Sequence, residues 1–418
     1  MKVAVLGSGG REHALCWALA RHGHLAVALP GNGGTPLTAP IAADDLDGVA
    51  RYCRDQNVGL VIVGPEGPLA KGMVDYLRAQ GVGALGPTRQ AARLEGSKIY
   101  SKKFMQAHAI PTPKAWVFEG GGDPVEAFTA LDGQLVLKFD GLAAGKGVWV
   151  CDGLDEAFSA LTELRSRHGA KASFLVEEKL AGNELSVIAI TDGEHIVSLP
   201  ASQDHKALLD GDLGPNTGGM GAVCPVPQVD EATQRRIDDE IVRPTLAGLR
   251  AEQLDYRGFL YFGLMLTDDG PQLLEYNVRL GDPEAEAMLP LVETDLAVLA
   301  QACLQGKLDE VRLEVSRGAS ACVVLAARGY PGDPEIGRPI TGLDLLDPQT
   351  LVFHAGTRRV GADRWVTHGG RVLDVVARGE NLASAVEHAY LEVAKIRFDG
   401  MQVRKDIGRR PWKRDASA

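Results

Sequence analysis

The amino-acid sequence predicts a multidomain chain of mixed α/β and α+β class: a parallel-sheet amino-terminal domain, a larger body and a small α/β carboxy-terminal domain. Three observations predict it. Residues 1–90 alternate continuous apolar runs with helical patterns, which implies a parallel sheet covered on both faces. From about 112 to 200 the strands are short and joined by Gly-rich links and tight turns such as Thr191-Asp192-Gly193, which points to antiparallel pairing. From about 317 a separate strand and helix pattern resumes. At 418 residues the chain also exceeds the size at which a single hydrophobic core stops growing.

The elements follow in order. KVAVLG (2–7), LAVALPG (25–31) and GLVIVGP (59–65) read as strands. REHALCWALARHG (11–23), LDGVARYCRDQ (46–56) and PLAKGMVDYLRAQG (68–81) read as helices. Glycines crowd the strand ends, where ligands bind in such sheets. The helical stretch 94–110 runs into Pro111-Thr112-Pro113, a natural hinge because proline ends helices and restrains the residue before it. Short strands at 115–118, 135–138, 147–151, 174–180, 184–191 and 195–200 come next, with helices at 123–131 and 155–167. Residues 201–224 read as a long polar, Gly-rich loop, too long for a mere connector. A helix over 230–252 precedes two strands, 258–267 and 271–280. The carboxy-terminal part shows strands at 321–327 and 371–377 and an amphipathic helix over 381–396.

Composition narrows the partners. Hydrophobic residues make up 45% and charged residues 24%, as in ordinary soluble proteins. A net charge of −11 argues against a general binder of nucleic acid or anionic membrane, though not against small phosphorylated ligands. The opening MKVAVLGSGG reads as a first strand rather than a secretory signal, and no run approaches the length of a membrane span. Six scattered cysteines without a CxxC pair read as buried free thiols.

Four segments carry chemistry. GSGGRE (7–12) leads a strand into a helix through glycines, but Glu12 stands where a dinucleotide fingerprint needs its third glycine, and no acidic residue closes the second strand. What remains is a backbone suited to an anion, with Arg11 beside it. KFDGLAAGKGVWV (138–150) is not a phosphate-binding P-loop. Asp140 replaces its first glycine, Gly147 its metal-binding hydroxyl, and a β-prone Val-Trp-Val replaces its helix. It reads as a glycine-rich turn between strands, with Lys138 at one end and Lys146 at the tip.

In LLEYNVRLGDPE (273–284) the strand alternation puts Glu275, Asn277 and Arg279 on one face. Glu275 and Asn277 offer the oxygen ligands Mg²⁺ takes, and Arg279 could neutralise a phosphoryl group. The alternative is a solvated face of an edge strand. VEEKLAGNELS (176–186) and DHKALLDGDLGPNTGGMGA (204–222) offer carboxylates, Lys206 and another Gly-rich loop, and His205 reads as structural.

Taken together, GSGGREHAL, PGNGGT, VGPEGPLAKG, LEGSK, KFDGLAAGKGV, SQDHK, GPNTGGMGA, EYNVRLGDPE and GGRVLDVVA resemble the phosphoribosylamine–glycine ligases of the ATP-grasp superfamily, end to end. The resemblance implies a pre-ATP-grasp domain over 1–100, a two-lobed ATP-grasp body over 101–316 with its small lobe at about 112–190, and a carboxy-terminal domain over 317–418. It implies that glycine is phosphorylated by ATP and captured by 5-phosphoribosylamine, with Arg279 and Lys146 balancing the charge in transfer. The alternative is another ATP-grasp carboxylate–amine ligase of purine biosynthesis.

The resemblance also places the contacts. ATP falls at Lys102, Lys138, Gly141, Gly145, Lys146, Gly147, Glu177, Leu180 and Glu184, and Mg²⁺ or Mn²⁺ at Glu275 and Asn277. Phosphoribosylamine falls at Gly9, Gly10, Arg11, Glu12, Asn32, Gly33 and Glu66, with help from Asp204, Lys206 and Arg279. Asn216, Thr217 and Gly218 face the glycine and acyl-phosphate site. Val223, Cys224 and Phe139 depart from residues common in the family, at positions without chemistry. A cytoplasmic monomer that engages neither nucleic acid nor membrane is expected.

Overall fold

The computed structural model describes residues 1–143 and 147–409. Its frame is an eight-stranded sheet. Leu25–Pro30, Lys2–Gly7, Leu60–Val63 and Ala84–Pro87 pair in parallel in that order, each fully or mostly buried, as continuous Val/Leu/Ile/Ala runs require. The sheet then continues into antiparallel strands, Tyr256–Thr267, Asn183–Thr191 and Ile196–Ser198, and Gly270–Asn277 also pairs with Tyr256–Thr267.

The seam is short. Pro87 and Gly86 of the parallel part face Tyr256 and Arg257. A side chain on Gly258 would place its Cβ 2.9 Å from the Gly86 Cα, and Gly86 has φ +150, so two glycines permit the close approach that welds the parts.

A four-stranded antiparallel lobe stands apart from this frame, ordered Ala115–Phe118, Phe174–Glu178, Gln134–Phe139, Val148–Asp152. Helices Val125–Ala130 and Leu154–His168 close its apolar face around Phe128, Leu137, Leu164 and Phe174. Phe139, one of the departures from the family pattern, stacks on His168 with ring centroids 3.7 Å apart.

The carboxy-terminal sheet runs Gln203–Asp204, Gly221–Cys224, Ala319–Ala326, Arg371–Gly379, Leu351–His354, with helix Leu382–Val393 packed on it. This corrects the reading of 201–224 as a loop. Ala222, Val223 and Cys224 are buried and pair with Cys322, Ala321 and Ser320. The strand is short and enclosed by glycines, so its apolar run was too brief to stand out. Between its two ends, Ala207–Leu209 and Leu213–Asn216 form a hairpin.

Other differences have local causes. The helix expected over 68–81 starts at Glu66 and breaks at Gly72, whose φ of +86 ends Glu66–Lys71 and starts Met73–Ala79. The helix over 230–252 is interrupted by a wider π turn, Asp238–Val242, just before Pro244. Helix Leu296–Gln305 was not anticipated, because its residues are apolar on nearly all sides and carry little periodicity. All six cysteines are free and buried, as expected. Among the described residues no helix is long and apolar enough to cross a membrane.

Candidate active site

A cleft of about 910 Å³ opens between the small lobe and the large sheet. The small lobe contributes Lys138, Gly147 and Glu177, and the link after it contributes Leu180 and Glu184. Strand Gly270–Asn277 and the turn beyond it supply Glu275, Asn277 and Arg279 from the opposite side. The expected alternation holds there: those three are half-buried, while Tyr276, Val278 and Leu280 are in the core.

On the small-lobe side a buried carboxylate sits between two ammonium groups. Glu177 Oε1 is 3.0 Å from Lys102 Nζ and Oε2 is 2.7 Å from Lys138 Nζ. Lys102 also donates to Thr112 Oγ1 at 2.6 Å and the Pro113 carbonyl at 3.0 Å. Lys138 donates to the Leu274 carbonyl at 2.9 Å. The proline-flanked segment expected as a hinge is tied to the large sheet, because the Thr112 hydroxyl donates to the Leu273 carbonyl at 2.7 Å and Leu273 N–H donates to the Pro111 carbonyl at 2.8 Å. Two cations against one anion leave excess positive charge at the cleft wall, where low dielectric magnifies it. Burial lowers the Lys102 pKa, and Glu177 opposes the shift.

Arg279 is held by a set of partners. Its Nε lies 3.2 Å from Glu66 Oε2, and its Nη2 lies 2.9 Å from Glu95 Oε1 and 3.3 Å from Asn277 Oδ1. Two carboxylates on separate elements therefore aim one guanidinium into the cleft. Burial alone would raise the Glu66 carboxyl, but Arg279, its own backbone N–H and Arg11 together hold it below the ordinary value. Glu95 is fully buried, and burial wins: its pKa is raised despite Arg279.

Burial also works against ionisation of Glu275, yet Lys206, Lys138, Lys98 and Arg279 bring its pKa down. Glu275 is thus an ionised oxygen donor beside the Asn277 amide oxygen. Among the described residues no three His, Cys, Asp or Glu side chains gather into a metal cage. Two hard oxygen donors in a cleft whose lysines and arginines suit phosphate fit a divalent cation that takes its remaining ligands from phosphate and water.

The third wall is the hairpin region. Lys206 Nζ pairs with Glu184 Oε2 at 3.2 Å, which with other carboxylates keeps its pKa well above the ordinary value. Asp204 is the opposite case, with a buried Oδ1 that has no hydrogen-bond partner among the described residues and a carboxyl raised first by burial and then by Glu284. Asn216, Thr217 and Gly218 border the same cleft, and Thr217 is pinned by its hydroxyl to the Lys206 carbonyl at 2.8 Å. His205 is buried, with its pKa lowered to about 4 by burial, as suits a structural residue.

The amino-terminal residues divide. Arg11 and Glu66 line the cleft, whereas Gly9, Gly10, Glu12, Asn32 and Gly33 do not. Glu12 turns back on its own chain, accepting from Gly9 N–H and Arg11 Nε, both at 2.6 Å. Arg11 also donates to the Leu280 carbonyl at 3.0 Å, which joins the first helix to the Arg279 turn. A Cβ on Gly10 would stand 1.8 Å from Asp374 Oδ2, so that glycine admits the carboxy-terminal domain. Asn32 donates to the carbonyl of Ser8 at 3.0 Å, and Gly33 N–H to that of Thr357 at 3.1 Å.

Gly141 does not line the cleft, but its carbonyl accepts from Lys98 Nζ at 3.0 Å. Gly145 and Lys146 lie outside the described residues. Sequence reasoning missed Lys98, Glu95, Glu284, Tyr330 and Arg371, all of which border the cleft. Four of these stood in motifs already picked out, LEGSK, GDPE and GGRVLDVVA; Tyr330 had no local signal.

An antiparallel lobe closing over a larger sheet, with paired lysines facing a Glu–Asn–Arg strand, defines an ATP-dependent ligase of the ATP-grasp superfamily. Residues 1–95, 96–285 and 320–410 match the N, ATP-grasp (A) and C domains of phosphoribosylglycinamide synthetase. The chain belongs to the phosphoribosylamine–glycine ligase family. It is 44% identical to the phosphoribosylamine–glycine ligase of Rhodopirellula baltica, over 97% of this chain and 96% of that protein. It is 45% identical to that of Allochromatium vinosum over 100% of both. The crystal structure of the Thermotoga maritima phosphoribosylamine–glycine ligase superimposes with a TM-score of 0.84 at 37% identity, covering 97% of this chain and 100% of that one. The biotin carboxylase domain of Hydrogenobacter thermophilus 2-oxoglutarate carboxylase shares the fold alone, with a TM-score of 0.69 at 15% identity, over 96% of this chain and 91% of that one.

Proposed function

We propose that this chain joins glycine to 5-phosphoribosylamine through glycyl phosphate, giving glycinamide ribonucleotide, ADP and phosphate in purine biosynthesis. A free carboxylate resists attack by an amine because its charge repels the nucleophile and oxide is a poor leaving group. Transfer of the terminal phosphoryl group of ATP to the glycine carboxylate removes both obstacles. The amine of phosphoribosylamine then adds to the acyl carbon, and phosphate leaves.

The single observation that carries this reading is the opposition of Lys102–Glu177–Lys138 to Glu275–Asn277–Arg279 across one cleft. The lysines, Leu180, Glu184 and the 141–147 loop are assigned to ATP. Arg279 faces the transferring phosphoryl group, where preorganised positive charge counts most. Lys146 is assigned to the same charge on its motif alone. Asp204 and Lys206, with Arg11 and Glu66, are assigned to phosphoribosylamine, and 216–218 to glycine. Gly9, Gly10, Glu12, Asn32 and Gly33 are assigned to the same substrate on their motifs. Glu275 and Asn277 would hold Mg²⁺ or Mn²⁺, which when bound supplies charge neutralisation of the phosphates.

Domain limits at about 100 and 316, a small lobe at about 112–190, a monomeric state and a cytoplasmic location belong to the same proposal. The test is ADP release with phosphoribosylamine generated in situ, with and without glycine. Release that depends on glycine supports the reading, and release that persists without it sinks it.

A further inference from the structure

We propose that Tyr330 and Arg371, both from the carboxy-terminal domain, are positioning residues that hold the Gly218 peptide against the acyl-phosphate site. This rests on the glycine-ligating reading above. The Tyr330 hydroxyl accepts the Gly218 N–H at 2.8 Å, and Arg371 Nη1 donates to the Gly218 carbonyl at 2.6 Å. The Gly218 N–H and carbonyl are therefore both gripped by residues more than a hundred positions further along the chain. Arg371 Nη1 also donates to the Asp282 carbonyl at 2.7 Å, and its Nη2 lies 3.0 Å from the Asp282 carboxylate.

One guanidinium thus joins two cleft segments, the glycine loop and the turn that follows Arg279. The loop leaves space for this grip. A Cβ on Gly218 would lie 3.1 Å from Arg371 Cζ and 3.2 Å from Tyr330 Oη. Next to it Gly219 has φ +113, and a Cβ there would lie 2.4 Å from Pro283 Cδ. The loop is pressed onto the turn as closely as backbone allows.

The reason to hold the loop is chemical. Residues 213–216 and 218 are exposed, and segments with few buried contacts open at little cost. Glycyl phosphate is lost whenever water adds to its acyl carbon and the bond from that carbon to the phosphate oxygen breaks, returning glycine and phosphate. A loop that drifts admits water and displaces the glycine from the incoming amine. Misplacement by about 1 Å can cost on the order of 10²-fold in rate. The ATP side of the cleft, built on Lys102, Lys138 and Glu177, does not touch these two residues and is expected to work unchanged.

The experiment compares Tyr330→Phe and Arg371→Lys with the unmodified protein, measuring ADP and glycinamide ribonucleotide separately. The expected result is a raised KM for glycine and ADP in excess of product, with KM for ATP and melting temperature unchanged. Arg371→Lys keeps the charge but not the two-segment grip, so its coupling should be poorer than that of Tyr330→Phe. If Arg371→Lys fails to fold, Tyr330→Phe decides the matter, since it removes one hydroxyl. One ADP per product and an unchanged KM for glycine in a folded Tyr330→Phe protein would overturn the inference. If the unmodified protein releases no ADP in response to glycine, the proposed reaction falls, and this inference with it.

Discussion

The indole N–H of Trp365 donates to the carbonyl of Gly33 at 2.8 Å, across 332 residues of chain. With Gly33 N–H donating to the Thr357 carbonyl, the Asn32–Gly33 turn is held on both edges by the carboxy-terminal domain. The glycine at 33 is required by that approach: a Cβ there would come to 3.0 Å from the Thr357 and Arg359 backbone. Trp365→Phe keeps the ring packing and removes the donor. A neutral hydrogen bond is worth about 1 kcal/mol, so KM for phosphoribosylamine should rise roughly five-fold. KM for ATP should not move. A variant with unchanged KM for phosphoribosylamine shows that this turn does not support the substrate.

Glu177 lies between Lys102 and Lys138 with all three side chains buried. Glu177→Gln leaves two ammonium groups facing one another without a counter-charge. Removing one partner of a buried ion pair costs about 3–5 kcal/mol, which a shift in the urea midpoint reads directly. Excess ATP should restore part of the loss, because the triphosphate replaces the missing negative charge. A midpoint equal to that of the unmodified protein would show that the lysines share no charge with Glu177.

Arg279→Ala should lower kcat by about 10²–10³-fold, the loss typical of removing one donor from a preorganised charge site. ATP binding should weaken less, because Lys102 and Lys138 are untouched. Arg279→Lys should recover little, since an ammonium cannot satisfy Glu66 and Glu95 at once in fork geometry. Equal losses in kcat and in ATP affinity would assign Arg279 to binding alone.

The sequence revealed the jaws better than it revealed what holds them. Glu275, Asn277 and Arg279 were legible because a strand has period two and nothing but the strand is needed to align them. The parallel character of the first sheet was legible too, from continuous apolar runs joined through helices. The seam at Gly86 and Gly258, by contrast, depends on a contact between distant segments that leaves only a glycine at each end. Tyr330 and Arg371 are single polar residues beside ordinary strands, and they become site residues only where the carboxy-terminal sheet docks. Strand Gly221–Cys224 was misread because its pairing partner, Ala319–Ala326, lies about a hundred residues on. The Gly-x-Gly turn at 7–9 reads as an anion-binding backbone, and Glu12 accepts the Gly9 N–H there at 2.6 Å.

The last prediction concerns stability. Glu286 and Asp374 are buried, and neither carboxyl oxygen of Asp374 has a hydrogen-bond partner among the described residues, while the Glu286 carboxyl faces that of Asp282. Both converge on the same side of Gly10, at the start of the first helix. Burial pushes the Asp374 carboxyl from 3.8 up to about 8, and nearby Asp282 adds to the shift while Arg371 opposes it. Glu286 is raised as well, first by burial and then by Asp282 and Asp374. Cys322 is also raised, and lies near enough for both carboxyls to contribute.

The sign of the pH effect follows from these shifts. Between 3.8 and about 8 the folded chain keeps a proton on Asp374 that the unfolded chain has lost. Stability from this group is complete at the acid end of that window and declines as pH rises through it. Asp374→Asn puts a neutral group in the same space and removes the titration. The variant should therefore be more stable than the unmodified protein at about pH 8.5 and differ less at about pH 5, as urea midpoints at the two pH values would show. Glu286→Gln should act in the same direction, and the double substitution should gain less than the two single gains together, because the Asp374 carboxyl is one of the groups that raise Glu286. A midpoint for Asp374→Asn that tracks the unmodified protein at both pH values would mean that the folded chain does not hold a proton on Asp374.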